Sequence, residues 1–165
     1  MRRVVAAALA GIFALTSLSG CGSGADPDTV VVDRSWQVSG IYTSADSPSV
    51  IPNAITQPPS LTFGARGLVG TSGCAQFRAT ASYFRAGEKS NVEDADRLTL
   101  DSVSWKPMDG DCAGEQLWAH NQFTRLFAQG HGFGLSSPDK DQLILTLEDA
   151  GVEPPSLRLV SVNPS

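Results

Sequence analysis

Between residues 75 and 83 the chain alternates with a period of two. Phe77, Ala79, Ala81 and Tyr83 fall on one face of an extended segment, and Gln76, Arg78, Thr80 and Ser82 on the other. That spacing predicts a half-buried strand. Leu143, Leu145 and Leu147 repeat it near the C-terminus. Further strands are expected over 36–42, over 61–63 turning through Gly64-Ala65-Arg66-Gly67 into Leu68-Val69, and over 97–105, 133–135 and 157–162, with turn residues between them. Within 97–105 the apolar parity shifts between Leu98/Leu100 and Val103/Trp105, which predicts a bulge near Asp101-Ser102. The charged stretch 85–96 reads as a solvated loop.

One segment breaks the alternation. Leu117, Ala119, Phe123, Leu126 and Phe127 recur at helical spacing between Asp111, a candidate N-cap, and Gly130, a candidate stop. A lone amphipathic helix among antiparallel strands is expected to plug one side of a curved sheet and bury its aromatic stripe. The expected fold is therefore mainly β (α+β): a curved antiparallel sheet or small half-closed barrel with one amphipathic helix.

The first twenty residues follow another pattern. Met1-Arg2-Arg3 is basic, and residues 4–18 form an almost uninterrupted apolar run without charge. This is the layout of an export signal, shorter than the roughly 20 residues a membrane-spanning helix needs. Leu18-Ser19-Gly20-Cys21 resembles the lipobox of bacterial lipoproteins. The resemblance implies cleavage between Gly20 and Cys21 and diacylglycerol on the Cys21 sulfur. Residues 1–20 are thus expected to be a lipoprotein signal peptide, 21–29 a lipidated polar tether, and 30–165 one domain large enough to close a single core. The expected location is the extracytoplasmic face of the cell membrane, held by the lipid on Cys21.

Removing residues 1–20 leaves 10 basic and 17 acidic residues, a net charge of −7 with both histidines neutral. Nucleic-acid binding rests on Lys and Arg releasing counterions, so this balance argues against it, and equally against a polybasic hold on anionic lipid. Two acyl chains supply anchoring enough, at about 0.8 kcal/mol per buried methylene.

The order of motifs in the exported part resembles the META domain family. The blocks are Trp36-Gln37-Val38, Pro59-Ser60-Leu61-Thr62-Phe63 and Gly70-Thr71-Ser72-Gly73-Cys74-Ala75-Gln76-Phe77, followed by strand 98–103, segment 108–112, a helix headed by Glu115, and Gln142-Leu143-Ile144-Leu145-Thr146-Leu147. Ala75 stands where the family usually has Asn, and Ala79 where a Gly is common. The resemblance implies a small antiparallel β fold holding one helix, in a membrane-anchored envelope protein associated with heat or antibiotic stress and without enzymatic activity.

Catalytic and metal chemistry find little support in the residues. Gly70-Thr71-Ser72-Gly73 lacks the Gly-x-Ser-x-Gly spacing of a nucleophile elbow and reads as a turn. His120 and His131 belong to no triad that spacing specifies. Asp109-Gly110-Asp111 starts like a calcium loop but continues with Ala113 and His120 at ligand positions, and Asp139-Lys140-Asp141 has no continuation. No zinc spacing joins Cys74, Cys112 and the histidines. No catalytic residue, metal or cofactor is therefore expected.

The favoured reading is a non-enzymatic interaction or stress-resistance module acting on an envelope protein or small ligand. A carrier of small hydrophobic or lipid-like ligands ranks second, if Trp36, Phe77, Tyr83, Trp105 and Trp118 line a void rather than fill the interior. An enzyme ranks last. Cysteine arithmetic adds one structural expectation: lipid consumes Cys21, leaving Cys74 and Cys112 as an even pair in an oxidising compartment. Closing the 37 residues between them stabilises the fold by about 4 kcal/mol in the chain-entropy model.

The anchor reading has a direct test. Cys21→Ser leaves unprocessed or soluble protein, seen by intact mass and membrane fractionation. Membrane-bound protein of normal mature size in that variant would contradict it.

Overall fold

A computed structural model describes residues 31–44, 51, 55–108, 110–148 and 150–162. The expected signal segment and tether, with Gly20 and Cys21, lie outside the described residues, as does Asp109.

The period-two segments all become strands. In chain order they are β1 (Ser35–Tyr42), β2 (Ser60–Gly64), β3 (Gly67–Thr71), β4 (Gln76–Arg85), β5 (Glu88–Lys89), β6 (Arg97–Trp105), β7 (Gly132–Asp139), β8 (Gln142–Leu147) and β9 (Ser156–Ser161), with α1 (Gly114–Leu126) between β6 and β7. Every strand pairing is antiparallel, in the order β3-β2-β1-β9-β8-β7-β6-β4, and β3 pairs with β4 to complete the circle. The half-closed sheet expected from sequence is a closed eight-stranded barrel, with β5 added at the side of β4.

Closure needs local irregularities that bend strands. The parity shift in β6 is one of them: Ser102 pairs with Thr80 and Leu100 with Ala81, leaving Asp101 as the extra residue. A second shift lies between Val38 and Gly40 where β1 meets β9. At Gly70 the close strand approach leaves no room for a side chain, because a Cβ there would strike the Ser60 carbonyl and the Phe77 ring.

An eight-stranded barrel is just wide enough for side chains to fill. Here the inward positions are Trp36, Val38, Leu61, Phe63, Leu68, Phe77, Tyr83, Leu98, Leu100, Phe133, Leu143, Leu145, Leu157 and Leu159, all buried. Polar tips in this interior are paired. The Trp36 indole donates to the Val31 carbonyl at 3.0 Å, and the Tyr83 hydroxyl lies 3.0 Å from both the Gly64 and Gly67 carbonyls across the β2–β3 turn. Burial, and then the nearby Glu93 carboxylate, push the Tyr83 phenol well above its ordinary value, so it stays a donor.

The helix plugs one end. Phe123 and Phe127 stack with ring centroids 4.4 Å apart, and Phe77 lies 5.6 Å from Phe123 and 5.4 Å from Phe127. Phe133 joins Phe127 from the barrel wall at 5.4 Å. Leu117 is only half-buried, so the buried face runs through Ala119, Phe123 and Leu126.

Two expectations need correction. Asp111 does not cap the helix: the cap position is Ala113, in an extended conformation with no side-chain hydrogen bond, and Asp111 stays exposed two residues earlier. Tertiary ties described below fix this helix start instead. Nor is the stretch 85–96 wholly a solvated loop. Ala86 and Gly87, with φ of 50° and 84°, form a two-residue turn that pairs Arg85 with Glu88 and Phe84 with Lys89, and Val92 tucks into the core. Positive φ at both turn residues matches the right-handed strand twist, and the surrounding charge masks that signal.

The aromatic plug gives a stability prediction. Phe123→Ala should cost about 3–5 kcal/mol, the usual range for emptying a buried aromatic site. Met108→Ala, at an exposed position, should stay within about 0.5 kcal/mol. Urea denaturation midpoints compare the two.

Candidate functional site

The motif 70–77 folds as the turn between β3 and β4, at the helix-plugged end of the barrel. Thr71 and Ser72 hydroxyls reach the Ala75 carbonyl at 3.2 Å each, and the Ser72 backbone N–H donates to it at 2.9 Å. Ser72 Oγ accepts from the Ala75 N–H at 3.1 Å and the Cys74 N–H at 3.4 Å. Gly73 follows with φ of 89°, where a Cβ would collide with the Gln116 side chain and the Gln57 carbonyl. Only glycine suits that position.

Three ties bind this turn and its neighbours to α1. Cys74 and Cys112 form a disulfide with a Cα–Cα separation of 5.6 Å, as the cysteine count predicts. Gln116 in the first helical turn exchanges two hydrogen bonds with the Gln57 backbone, its Nε2 donating to Gln57 O at 2.7 Å and its Oε1 accepting from Gln57 N at 3.4 Å. Ser72 Oγ lies 2.6 Å from His120 Nδ1. Gln116, His120, Phe123 and Phe127 stand at helical spacing on the face that meets the sheet, and that continuation of the aromatic stripe is the signal by which His120 could have been placed. The glutamine tie has no local sequence signature.

The Ser72–His120 pair was not specified by spacing, yet the fold assembles it. Burial holds the His120 imidazole below its ordinary pKa. His120 also lies edge-on to Trp105, with centroids 6.0 Å apart. Ser72 is fully buried, at 0% exposure. A hydroxyl that attacks an acyl carbon must be reachable by it, so this pair in its observed state works as a fastening.

The remaining chemical candidates separate. His131 Nδ1 meets the Leu126 carbonyl at 2.8 Å and ties down the end of the helix. Asp139 and Asp141 sit at the β7–β8 hairpin, where Arg34 bonds the Lys140 carbonyl at 3.0 Å and pairs with Asp141 at 3.4 Å. Among the described residues no three His, Cys, Asp or Glu side chains are grouped to hold a metal ion. A shallow depression of about 300 Å³ borders the disulfide between Gln57, Asp111 and Gln116. A larger open groove of about 550 Å³ lies on the outer wall around Val69, Arg78 and Lys106.

No family model matches the chain, and no curated relative matches it. A solved structure does. The NMR structure of a protein from Burkholderia xenovorans superposes with a TM-score of 0.58 and 17% identity, covering 93% of this chain and 99% of that one. At that identity the likeness shows the fold alone.

Titration tests the fastening. The folded-state pKa of His120 lies below the unfolded value near 6.5, so the unfolded chain binds more protons between the two. Stability from this group is present above pH about 6.5 and is lost as pH falls through the folded pKa. His120→Gln should flatten that acid limb in urea midpoints taken across this range. Ser72→Ala should cost about 1–3 kcal/mol by orphaning buried N–H groups.

Proposed function

We propose that this chain is a lipid-anchored envelope protein on the extracytoplasmic face of the membrane. Its barrel acts as a non-enzymatic interaction or stress-resistance module, in the manner the META resemblance implies. The observation that most supports a module over a carrier is the filled interior. Trp36, Phe77 and Tyr83 are buried inside the barrel, and Trp105 packs 4.9 Å from Phe77 beneath the helix. Trp118 is half-buried on the helix. Trp36, Phe77 and Tyr83 occupy interior space in which a lipid-like ligand would sit.

Rigidity supports the same reading. A closed barrel, an aromatic plug and a disulfide hold the outer surface in one shape, and a preorganised surface binds a partner without ordering costs. The lipobox-like 18–21 segment supports the location. The enzyme reading has only the Ser72–His120 pair in its favour, and burial of Ser72 weighs against it.

Deleting the gene should weaken tolerance of heat or envelope-active drugs without removing a metabolic activity. His120→Gln and His131→Gln proteins should restore tolerance wherever they accumulate to normal levels, while Cys21→Ser should not. Failure of a folded, abundant His120→Gln protein to complement would overturn the non-enzymatic assignment.

A further inference from the structure

The outer wall formed by β2, β3, β4 and β6 carries Arg78, with Arg66 and Lys106 at its margins. Strand register places Thr62, Val69, Arg78 and Ser104 in one cross-strand row, and Thr71, Gln76 and Lys106 beside it. Two open grooves, of about 550 and 340 Å³, run along this wall and share Val69 and Arg78. Arg66, at the β2–β3 turn, lines the second groove, and Lys106 lines the first. No carboxylate is among the residues lining either groove. In an exported chain with 17 acidic and 10 basic residues, that local excess of cations is a departure from the average. Among the described residues the Arg66 and Arg78 guanidiniums have no ion-pair or hydrogen-bond partner. Lys106 Nζ holds Gln76 Oε1 at 2.8 Å and keeps further donors.

The chain enters the fold beside this wall. Val32 bridges to Phe63, which itself lines the second groove, and the Val31 carbonyl is fixed by the Trp36 indole. From Cys21 to Val31 the backbone can extend at most about 35 Å. A lipid on Cys21 therefore keeps this wall within reach of the membrane, at high effective concentration for any contact it can make. Guanidinium, hydroxyl and an exposed Val69, at 45% exposure, are the chemistry that receives a phosphate headgroup and its glycerol edge.

We infer that Arg66, Arg78 and Lys106 form an anionic-phospholipid contact that seats the tethered barrel sideways on the membrane, with the β2–β3–β4–β6 wall toward the lipid. The inference rests on the anchored reading and adds orientation to it. Carboxylates shape the geometry. Glu88, Glu93, Asp94 and Asp96 lie in the 86–96 segment that follows β4, at the same end of the barrel as the β2–β3 turn, and disfavour seating on that end. Asp101 is held on β6 by Ser82 at 2.9 Å, outside both grooves. With the wall toward the lipid the barrel axis lies along the membrane, and the Ser72–His120 and disulfide region sits at the helix-plugged end, at the other end of β3 from Arg66.

The test uses the full lipidated protein reconstituted on vesicles of phosphatidylcholine alone or mixed with phosphatidylglycerol, read by amide hydrogen exchange. Each guanidinium that reaches the surface should favour the docked state about fivefold. Exchange over residues 64–80 should slow on the phosphatidylglycerol vesicles only, lose that slowing in high salt and in R66Q/R78Q, and keep it in the control R125Q on the helix. Equal exchange on both vesicle types, or slowing that survives R66Q/R78Q, overturns the proposal. Slowing by inorganic phosphate in the absence of phosphatidylglycerol reassigns the groove to a free anion and overturns the lipid source. Failure of the anchored reading appears at an earlier step, as protein that carries no diacylglyceryl mass and floats with neither vesicle, and removes the premise of the docking.

Discussion

Pairing between β3 and β4 is the constraint on which the rest of this molecule depends. Five residues of β3 pair with β4 on one side and with β2 on the other, and through them a nine-stranded ribbon becomes a barrel. Without that seam the inward residues of β2 and β3, Leu61, Phe63 and Leu68, would face an open edge instead of a core. The seam also sets the position of the 72–75 turn, because β3 must end and β4 begin in register on either side of it. The disulfide, the Gln116–Gln57 exchange and the Ser72–His120 bond all spring from that turn or from the loop next to it.

The helix end shows how one core can be assembled from unlike parts. Burying the stacked Phe123 and Phe127 provides the bulk of the attraction, which is non-directional. The disulfide, the Gln116–Gln57 exchange and the Ser72–His120 bond are directional and give the plug one orientation. Polar groups in such a setting stabilise only when each finds its partner, and Ser72 Oγ does so by accepting from two N–H groups and placing its one proton between the His120 Nδ1 and the Ala75 carbonyl. Charge plays a small part here.

Legibility from sequence followed periodicity. Strands with strict alternation, such as 76–83 and 142–147, could be placed because burial on one face leaves a period of two in the chain itself. The Asp101 bulge could be read because a bulge inverts parity, and the inversion is written in Leu98, Leu100, Val103 and Trp105. Closure of the barrel could not, since it depends on which strands meet across long separations, and alternation is the same in an open sheet. The Asp111 cap failed because local propensity yields when tertiary bonds fix where a helix starts. The Ala86-Gly87 hairpin was hidden by its charged surroundings. At the candidate site, cysteine arithmetic found the disulfide, whereas the Ser72–His120 contact joins residues 48 apart that no spacing rule connects.

A closed ring of strands also changes how this protein can meet others. An open sheet offers a row of unpaired N–H and C=O groups on which a neighbouring chain can lay down an extra strand, the route to both β-augmentation and aggregation. In this barrel most strands turn their backbone groups toward a neighbour on each side, β6 and β7 meeting over only three residues, and the short β5 is the added fringe. Recognition must therefore be written in side chains, loops and the ends of the barrel. Self-templated strand pairing is then limited by topology rather than by guarding charges along each strand.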